Sequence, residues 1–303
     1  MRYRPFGRSG AAVSALSLVL TDAPMRNDDR VKLIYAALEA GVNTFEIQSR
    51  DPAAAHALGE ALAAIDRRMV FVAMRLGWSS ARNGPRQRDL SPEALIGAVE
   101  SMLAQTGLGR IDVAILDVLE GERLPAQTIP ALCSARASGR VRMLGIGGGE
   151  GADEHIDTGQ FDVLATPFNI HSGWAERNRL KRAGRADMAI IGCDYHPADL
   201  GGGEEKSAGP LGIARLLRRK ERTPHRYEFL ERWPGWTPEQ ICLGFALTEP
   251  SLATVQTTTR DPETLEALAS VVERDLPTGL SAQIEMARLS SDQEKAALAK
   301  RRA

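Results

Sequence analysis

The most informative segment of the chain is Val42-Asn43-Thr44-Phe45-Glu46-Ile47-Gln48-Ser49-Arg50-Asp51. Its first half, residues 44–47, has the length and the residue types of a β-strand, and helix-like segments lie on either side of the stretch. The polar half follows at the point where that strand would end. In a parallel barrel, Glu46 and Asp51 would lie at the C-terminal mouth, where this architecture places active sites.

Seven further strand-like runs repeat this pattern: residues 15–20, 70–74, 113–116, 141–146, 163–166, 188–192 and 253–256. Segments typical of helices lie between and after them, at residues 29–40, 53–64, 92–105, 126–137, 151–155, 175–183, 238–247 and 262–273. Ser91, Thr237 and Asp261 each precede a proline, which is the residue order of a capped helix start. Eight strands that alternate with helices predict an α/β fold, a closed (β/α)8 TIM barrel.

The competing fold, a doubly wound sheet, would carry a glycine-rich turn after its first strand. Leu18-Val19-Leu20-Thr21-Asp22 stands there instead, and Gly147-Gly148-Gly149 comes only after the fifth strand. We therefore expect a single barrel domain over residues 1–303, with a long loop insertion at about 197–236. A small hairpin of residues 2–6 and 11–13 should cap the barrel bottom, and a terminal helix should begin near residue 280.

The composition of the chain limits the binding partners and the cellular compartment that we expect. With 43% hydrophobic and 25% charged residues the chain is typical of a folded protein, and a net charge of −1 gives no argument for nucleic acid or for an acidic membrane. Cys133, Cys193 and Cys242 form no CxxC pair, so neither a disulfide framework nor a zinc knuckle is predicted. No apolar run approaches the roughly 20 residues that span a bilayer. We expect a cytoplasmic protein with a small-molecule ligand at the barrel mouth and leave protein partners open.

Several motifs occur along the chain in a characteristic order. They are residues 3–16 (YRPFGRSGAAVSAL), Leu58-Gly59-Glu60-Ala61-Leu62, residues 161–164 (FDVL), residues 237–240 (TPEQ) and residues 260–266 (RDPETLE). Together with the opening stretch, they resemble the aldo-keto reductase superfamily over nearly the whole chain. The resemblance implies a TIM barrel and an NAD(P)H-dependent oxidoreductase that acts on a small carbonyl substrate.

Members of that superfamily use an Asp-Tyr-Lys-His tetrad, and the resemblance places other residues at all four positions. The Asp position holds Glu46, the Tyr position Asp51, the Lys position Arg75 and the His position Asp117. Asp51, ionised at neutral pH, could not donate the proton that the family Tyr supplies, and Arg75 could not act as a neutral base. We therefore predict a divergent member with a degenerate active site, a pseudoenzyme with respect to ordinary NADPH-dependent carbonyl reduction.

The positions at which the family holds NADPH have changed as well. The replacing residues are Ser17 and Val19 on the first strand, Gly147-Gly148 in place of a Ser-Asn pair that holds the carboxamide, Ala165 in place of a Gln, residues 258–261 (TTRD) at the phosphate turn and Ala267-Leu268 near the adenine. Arg260 is retained as a candidate phosphate contact. Since each lost polar partner costs about 1–3 kcal/mol, no cofactor is expected, and NADPH is the cofactor if the family function is retained.

Three interpretations of the replaced positions stay open. Arg75 could pair with Glu46 and Asp117 as a structural remnant, or the carboxylates could supply an acid and a base for a non-redox reaction. Alternatively, the chain could still reduce a carbonyl with Tyr195 as substitute proton donor. The residues expected to line the substrate pocket are Trp78, Asn169, His171 and His196. No metal is predicted, because the candidate ligands Glu46, Asp117, His171, Asp194 and His196 show no compact spacing.

Overall fold

The computed structural model describes residues 1–48, 52–79, 87–200 and 225–290. Eight parallel strands form a closed barrel in chain order, and β8 pairs with β1 to close it. The strands are β1 (Leu16–Leu20), β2 (Thr44–Ile47), β3 (Phe71–Leu76), β4 (Ile111–Asp117), β5 (Val141–Gly147), β6 (Val163–Pro167), β7 (Ala189–Cys193) and β8 (Leu252–Thr257). The predicted (β/α)8 barrel is confirmed.

Helices cover the outside of the barrel. The described part of the chain contains the α-helices α1 (Asn27–Glu39), α2 (Pro52–Leu62), α3 (Pro92–Thr106), α4 (Thr128–Ala137), α5 (Trp174–Arg185), α6 (Pro238–Leu247) and α7 (Pro262–Val271), and residues 280–290 are also helical. The predicted caps are present: side-chain oxygens of Ser91, Thr237 and Asp261 each accept a hydrogen bond from the backbone N–H three residues later. The short helix expected near residues 151–155 is a longer 3-10 helix, Glu150–Thr158.

Side chains alternate between two apolar layers. On β3, Val72 and Met74 pack between the barrel and the helices, whereas Phe71 and Ala73 fill the barrel interior. Because side chains alternate along a strand, Arg75 also faces the interior, one layer nearer the C-terminal mouth. The charged residue is therefore placed in the mouth by the strand itself.

The barrel is closed from below. The predicted hairpin forms from Tyr3–Pro5 and Ala12–Ser14, and the ring of Phe6 packs against Phe71 inside the barrel at a centroid distance of 4.5 Å. This plug leaves the C-terminal mouth as the end where this architecture builds its sites.

Two connections shape that mouth. A short hairpin of Trp78–Ser79 and Gln87–Arg88 follows β3. The insertion predicted at 197–236 is described only at its ends, as the 3-10 helices Ala198–Leu200 and His225–Arg232; residues 201–224, like Asp51, lie outside the described residues. Over the parts of the chain that the structure describes, no helix is both long and apolar enough to cross a membrane.

Candidate active site

Arg75 is the central residue of the mouth, and its side chain is 11% exposed. Its Nε donates a hydrogen bond to Oε1 of Glu46 on β2 at 2.9 Å, and its Nη1 donates to Oδ1 of Asp117 on β4 at 2.9 Å. The bridge from Arg75 to Glu46 and Asp117 that the sequence predicts is therefore present.

The second terminal nitrogen of Arg75 extends this contact to the far side of the barrel. Nη2 lies 3.4 Å from Oε1 of Gln256 on β8 and 3.7 Å from the sulfur of Cys193 on β7. Side chains of five strands thus meet at one guanidinium, and we call these five residues (Glu46, Arg75, Asp117, Cys193 and Gln256) the Arg75 cluster.

The cluster holds its cation permanently charged. Burial opposes the charge of Arg75, but Glu46 and Asp117 outweigh that effect and raise the pKa of the guanidinium well above its ordinary value. For the thiol of Cys193 burial is the larger influence, and it raises the pKa of that group to about 12 in spite of the neighbouring Arg75. Neither group exchanges a proton near neutral pH.

Glu46 is the most enclosed carboxylate of the cluster, with a side chain only 2% exposed. In addition to the bond from Arg75, its Oε1 accepts a hydrogen bond from Nε2 of Gln48 at 2.6 Å, and its Oε2 accepts one from Nε2 of Gln256. Both oxygens are therefore engaged inside the barrel, as buried charges require.

Asp117 is the cluster member that reaches the surface, because a quarter of its side chain is exposed. Oδ1 is used by Arg75, while Oδ2 has no hydrogen-bond partner among the described residues. Next to it, Gly147 ends β5 without a side chain: a Cβ there would lie 2.4 Å from Oδ1 of Asp117 and 2.5 Å from Nη1 of Arg75. The ion pair thus occupies the space beside Gly147.

Arg88 fixes the mouth from outside the barrel, and sequence reasoning missed it. Its Nη1 donates to the carbonyl of Gly77 and its Nη2 to the carbonyl of Asp117, both at 2.8 Å. Its guanidinium also pairs with Glu122, whose pKa these hydrogen bonds lower, and lies 4.7 Å above the ring of Trp78. No spacing in the sequence connects Arg88 to these partners.

The other predicted pocket residues form a group beside β6 and β7. Nδ2 of Asn169 donates to the carbonyl of Asp194 at 2.9 Å, which ties the loops after these strands together. The ring of His171 lies between the hydroxyl of Tyr227 at 3.2 Å and Oδ1 of Asp199 at 3.1 Å. In the described parts of the chain, none of the contacts of Asn169 and His171 reaches Arg75. The structure brings Trp78 to the Arg75 cluster by way of Arg88, and it groups Asn169 with His171 separately.

Tyr195, the substitute donor of the sequence analysis, is directed towards helix α6. Its hydroxyl donates to Oε1 of Glu239 at 2.8 Å and lies 3.3 Å from Oγ1 of Thr257. Burial, and after it the carboxylate of Glu239, raises the pKa of Tyr195 well above its ordinary value. Burial also lowers the pKa of the neighbouring His196, whose ring nitrogens have no hydrogen-bond partner within the described ranges. Arg260, the candidate phosphate contact, is exposed after β8.

Comparisons with known proteins agree with this architecture. The structure superposes on the aldo-keto reductase AKR11C1 from Bacillus halodurans in its holo form with a TM-score of 0.77 and 17% identity, covering 95% of this chain and 96% of that one. For the glycerol dehydrogenase AKR11B4 from Gluconobacter oxydans the TM-score is 0.72 at 17% identity, covering 94% of each chain. No curated protein sequence matches. The model of the aldo/keto reductase family matches residues 16–288, and the chain therefore belongs to the aldo/keto reductase family.

Proposed function

We propose that this protein binds a small molecule at the barrel mouth and does not catalyse ordinary NADPH-dependent carbonyl reduction. The observation that carries the proposal is the double ion pair of Arg75 with Glu46 and Asp117. Carbonyl reduction requires a proton donor at the carbonyl oxygen as the hydride arrives. A guanidinium whose pKa is raised by two carboxylates keeps its proton, so the centre of the mouth acts as a fixed ion cluster.

The same cluster argues against acid–base catalysis by the two carboxylates. A base has to leave its resting partners to take a proton from the substrate. Glu46 is almost fully buried and accepts hydrogen bonds from Arg75, Gln48 and Gln256. Only Asp117 has an oxygen without a described partner, and one carboxylate does not provide an acid and a base together.

Carbonyl reduction with Tyr195 as the proton donor has weaker support than the binding of a small molecule without reduction. The hydroxyl of Tyr195 is engaged by Glu239 on α6, and its raised pKa disfavours the phenolate that would remain after proton transfer. The contacts of this ring belong to the layer between barrel and helices, in which Tyr195 is 5% exposed. We interpret Tyr195 as a packing residue.

The residues of the mouth also fit a nicotinamide poorly. Where the resemblance expects a side chain that holds the carboxamide, Gly147 has none, and its space is taken by Asp117 and Arg75. Ala165, where a Gln is expected, is buried and apolar. We therefore propose that the protein works without NADPH.

Asp117 is the group through which the mouth would hold its ligand. Its Oδ2, which has no partner in the part of the chain that the structure describes, can accept hydrogen bonds, so the ligand should carry a hydroxyl, amide or ammonium donor. We also propose a cytoplasmic location, because all three cysteines are unpaired, as is usual in a reducing compartment.

Titration with NADPH tests the proposal. Nicotinamide fluorescence and calorimetry should show no saturation below about 1 mM, which corresponds to less than about 4 kcal/mol of binding free energy. Micromolar binding, or consumption of NADPH with small aldehydes and ketones, would overturn it. A thermal-shift screen of metabolites then identifies ligands, and a true ligand of the mouth should shift the wild-type protein more than the Asp117→Asn variant.

A further inference from the structure

Gly147 has a steric reason to be glycine. It lies in regular β5, where its carbonyl accepts a hydrogen bond from the N–H of Val118 at 2.9 Å. The neighbouring Gly148 differs, because its φ of +124° belongs to a region that glycine favours. At position 147 the backbone would accept any residue, so the constraint comes from space.

That space is taken by the ion pair. A Cβ at position 147 would lie 2.4 Å from Oδ1 of Asp117, 2.5 Å from Nη1 of Arg75 and 3.1 Å from Cγ2 of Ile115. Real Cβ atoms essentially never approach other heavy atoms below 3.0 Å. The two closest atoms are the ends of the Arg75 and Asp117 side chains and form the hydrogen bond between them, so a Cβ at position 147 requires that this bond lengthens or turns.

We propose that Gly147 is a positioning residue for Asp117, and that a side chain at position 147 and the Arg75–Asp117 ion pair exclude each other. The inference deepens the proposed function and rests on it, because the pair that Gly147 admits closes the middle of the mouth. A ligand is thereby restricted to the outer, exposed side of Asp117. A side chain at position 147 would therefore fit best with a smaller residue in place of Asp117.

A double-mutant cycle in thermal unfolding tests this exclusion. In the wild-type background Gly147→Ser and Gly147→Ala should each lower the Tm by about 2–8 °C, as overpacking does in a chain of this size. In an Asp117→Ala background the same changes should lower the Tm by less than half as much, because Oδ1 of Asp117 is then absent and Nη1 of Arg75, no longer held by it, can turn away from position 147. Equal losses in both backgrounds, or no loss in the wild type, would overturn the proposal.

Gly145→Ala is the matched control. Gly145 lies two residues earlier on the same strand, and a Cβ there would meet Cγ1 of Ile115 at 2.9 Å and Cγ1 of Val113 at 3.1 Å; none of its three nearest atoms belongs to the ion pair. Its loss of Tm should be the same with and without Asp117, since uncoupled sites add. If Asp117→Ala does not fold, Asp117→Ser repeats the cycle with a smaller cavity. The cycle needs no ligand, so its failure is distinguishable from NADPH binding to the wild type.

Discussion

Arg75 and Glu46 lie on neighbouring strands with Nε of one 2.9 Å from Oε1 of the other, and neither side chain is more than 11% exposed. Two charges at this depth stabilise a fold only as a complete pair with satisfied hydrogen bonds. Here Gln48 and Gln256 supply the remaining donors to Glu46. The pair therefore makes both charges structural requirements of the barrel.

Replacing Arg75 by Met should destabilise the protein by about 3–5 kcal/mol, because Glu46 and Asp117 then face each other without a cation. Guanidinium chloride unfolding, followed by circular dichroism, measures the loss. Arg68→Met is the matched control, since Arg68 forms an exposed pair with Asp66 at 2.8 Å, and it should cause no measurable change. A loss for Arg75→Met as small as that of the control would contradict a structural role of the cluster.

The thiols should react at very different rates. Burial raises the pKa of Cys193 to about 12 and that of the buried Cys242 above its usual range. Cys133 on α4 is half-buried, as is Cys193, so the contrast between these two thiols rests on the raised pKa of Cys193. At pH 8 only about one Cys193 in ten thousand is then a thiolate, and the rate should rise about tenfold per pH unit. With Ellman's reagent the native protein should show at most one fast thiol. Cys133→Ser should abolish it, and a second fast thiol would refute the assignment.

Two glycines of neighbouring helices should respond in opposite directions to alanine. A Cβ at Gly59 on α2 would lie 2.2 Å from the backbone oxygen of Thr106 on α3, an atom that no side-chain rotation can move. Gly59→Ala should therefore cost at least about 3 kcal/mol, at the upper end of overpacking. Gly97→Ala on the exposed face of α3 meets nothing within 4 Å and should stabilise by about 0.4–1 kcal/mol. Equal effects on the unfolding midpoint would disprove this helix contact.

The strands could be predicted from the apolar runs of the sequence, but the C-terminal ends of β3 and β4 could not. Apolar patterning predicts that β3 ends at Met74 and β4 at Leu116, but β3 continues through Arg75 to Leu76 and β4 continues to Asp117. Apolar patterning stops at the first charge, whereas the barrel accepts these two charges because they neutralise each other across adjacent strands. Because buried charges have to be paired, the bridge from Arg75 to Glu46 and Asp117 could be predicted from the sequence.

The partners that complete the mouth were not accessible to sequence reasoning. Gln256 reaches Glu46 only because β8 closes onto β1 in one particular register, which depends on the whole barrel. Arg88 donates to the backbone carbonyls of Gly77 and Asp117. Because every residue has a backbone carbonyl, the residue types at these positions do not predict such a contact. Asp51, an expected tetrad-equivalent residue, lies outside the described residues, so its role stays a prediction.

The convergence of β2, β3, β4, β7 and β8 on one guanidinium also affects how the barrel opens. Local fluctuations usually begin at the loop-bearing end of such a protein, where few buried contacts resist them. Here a strand that separates at the mouth loses its contact with Arg75 and leaves a member of the Arg75 cluster without its partner. The amides of these strands should therefore exchange with solvent together, in the slow step of global unfolding, which would make the mouth one of the most rigid parts of the molecule.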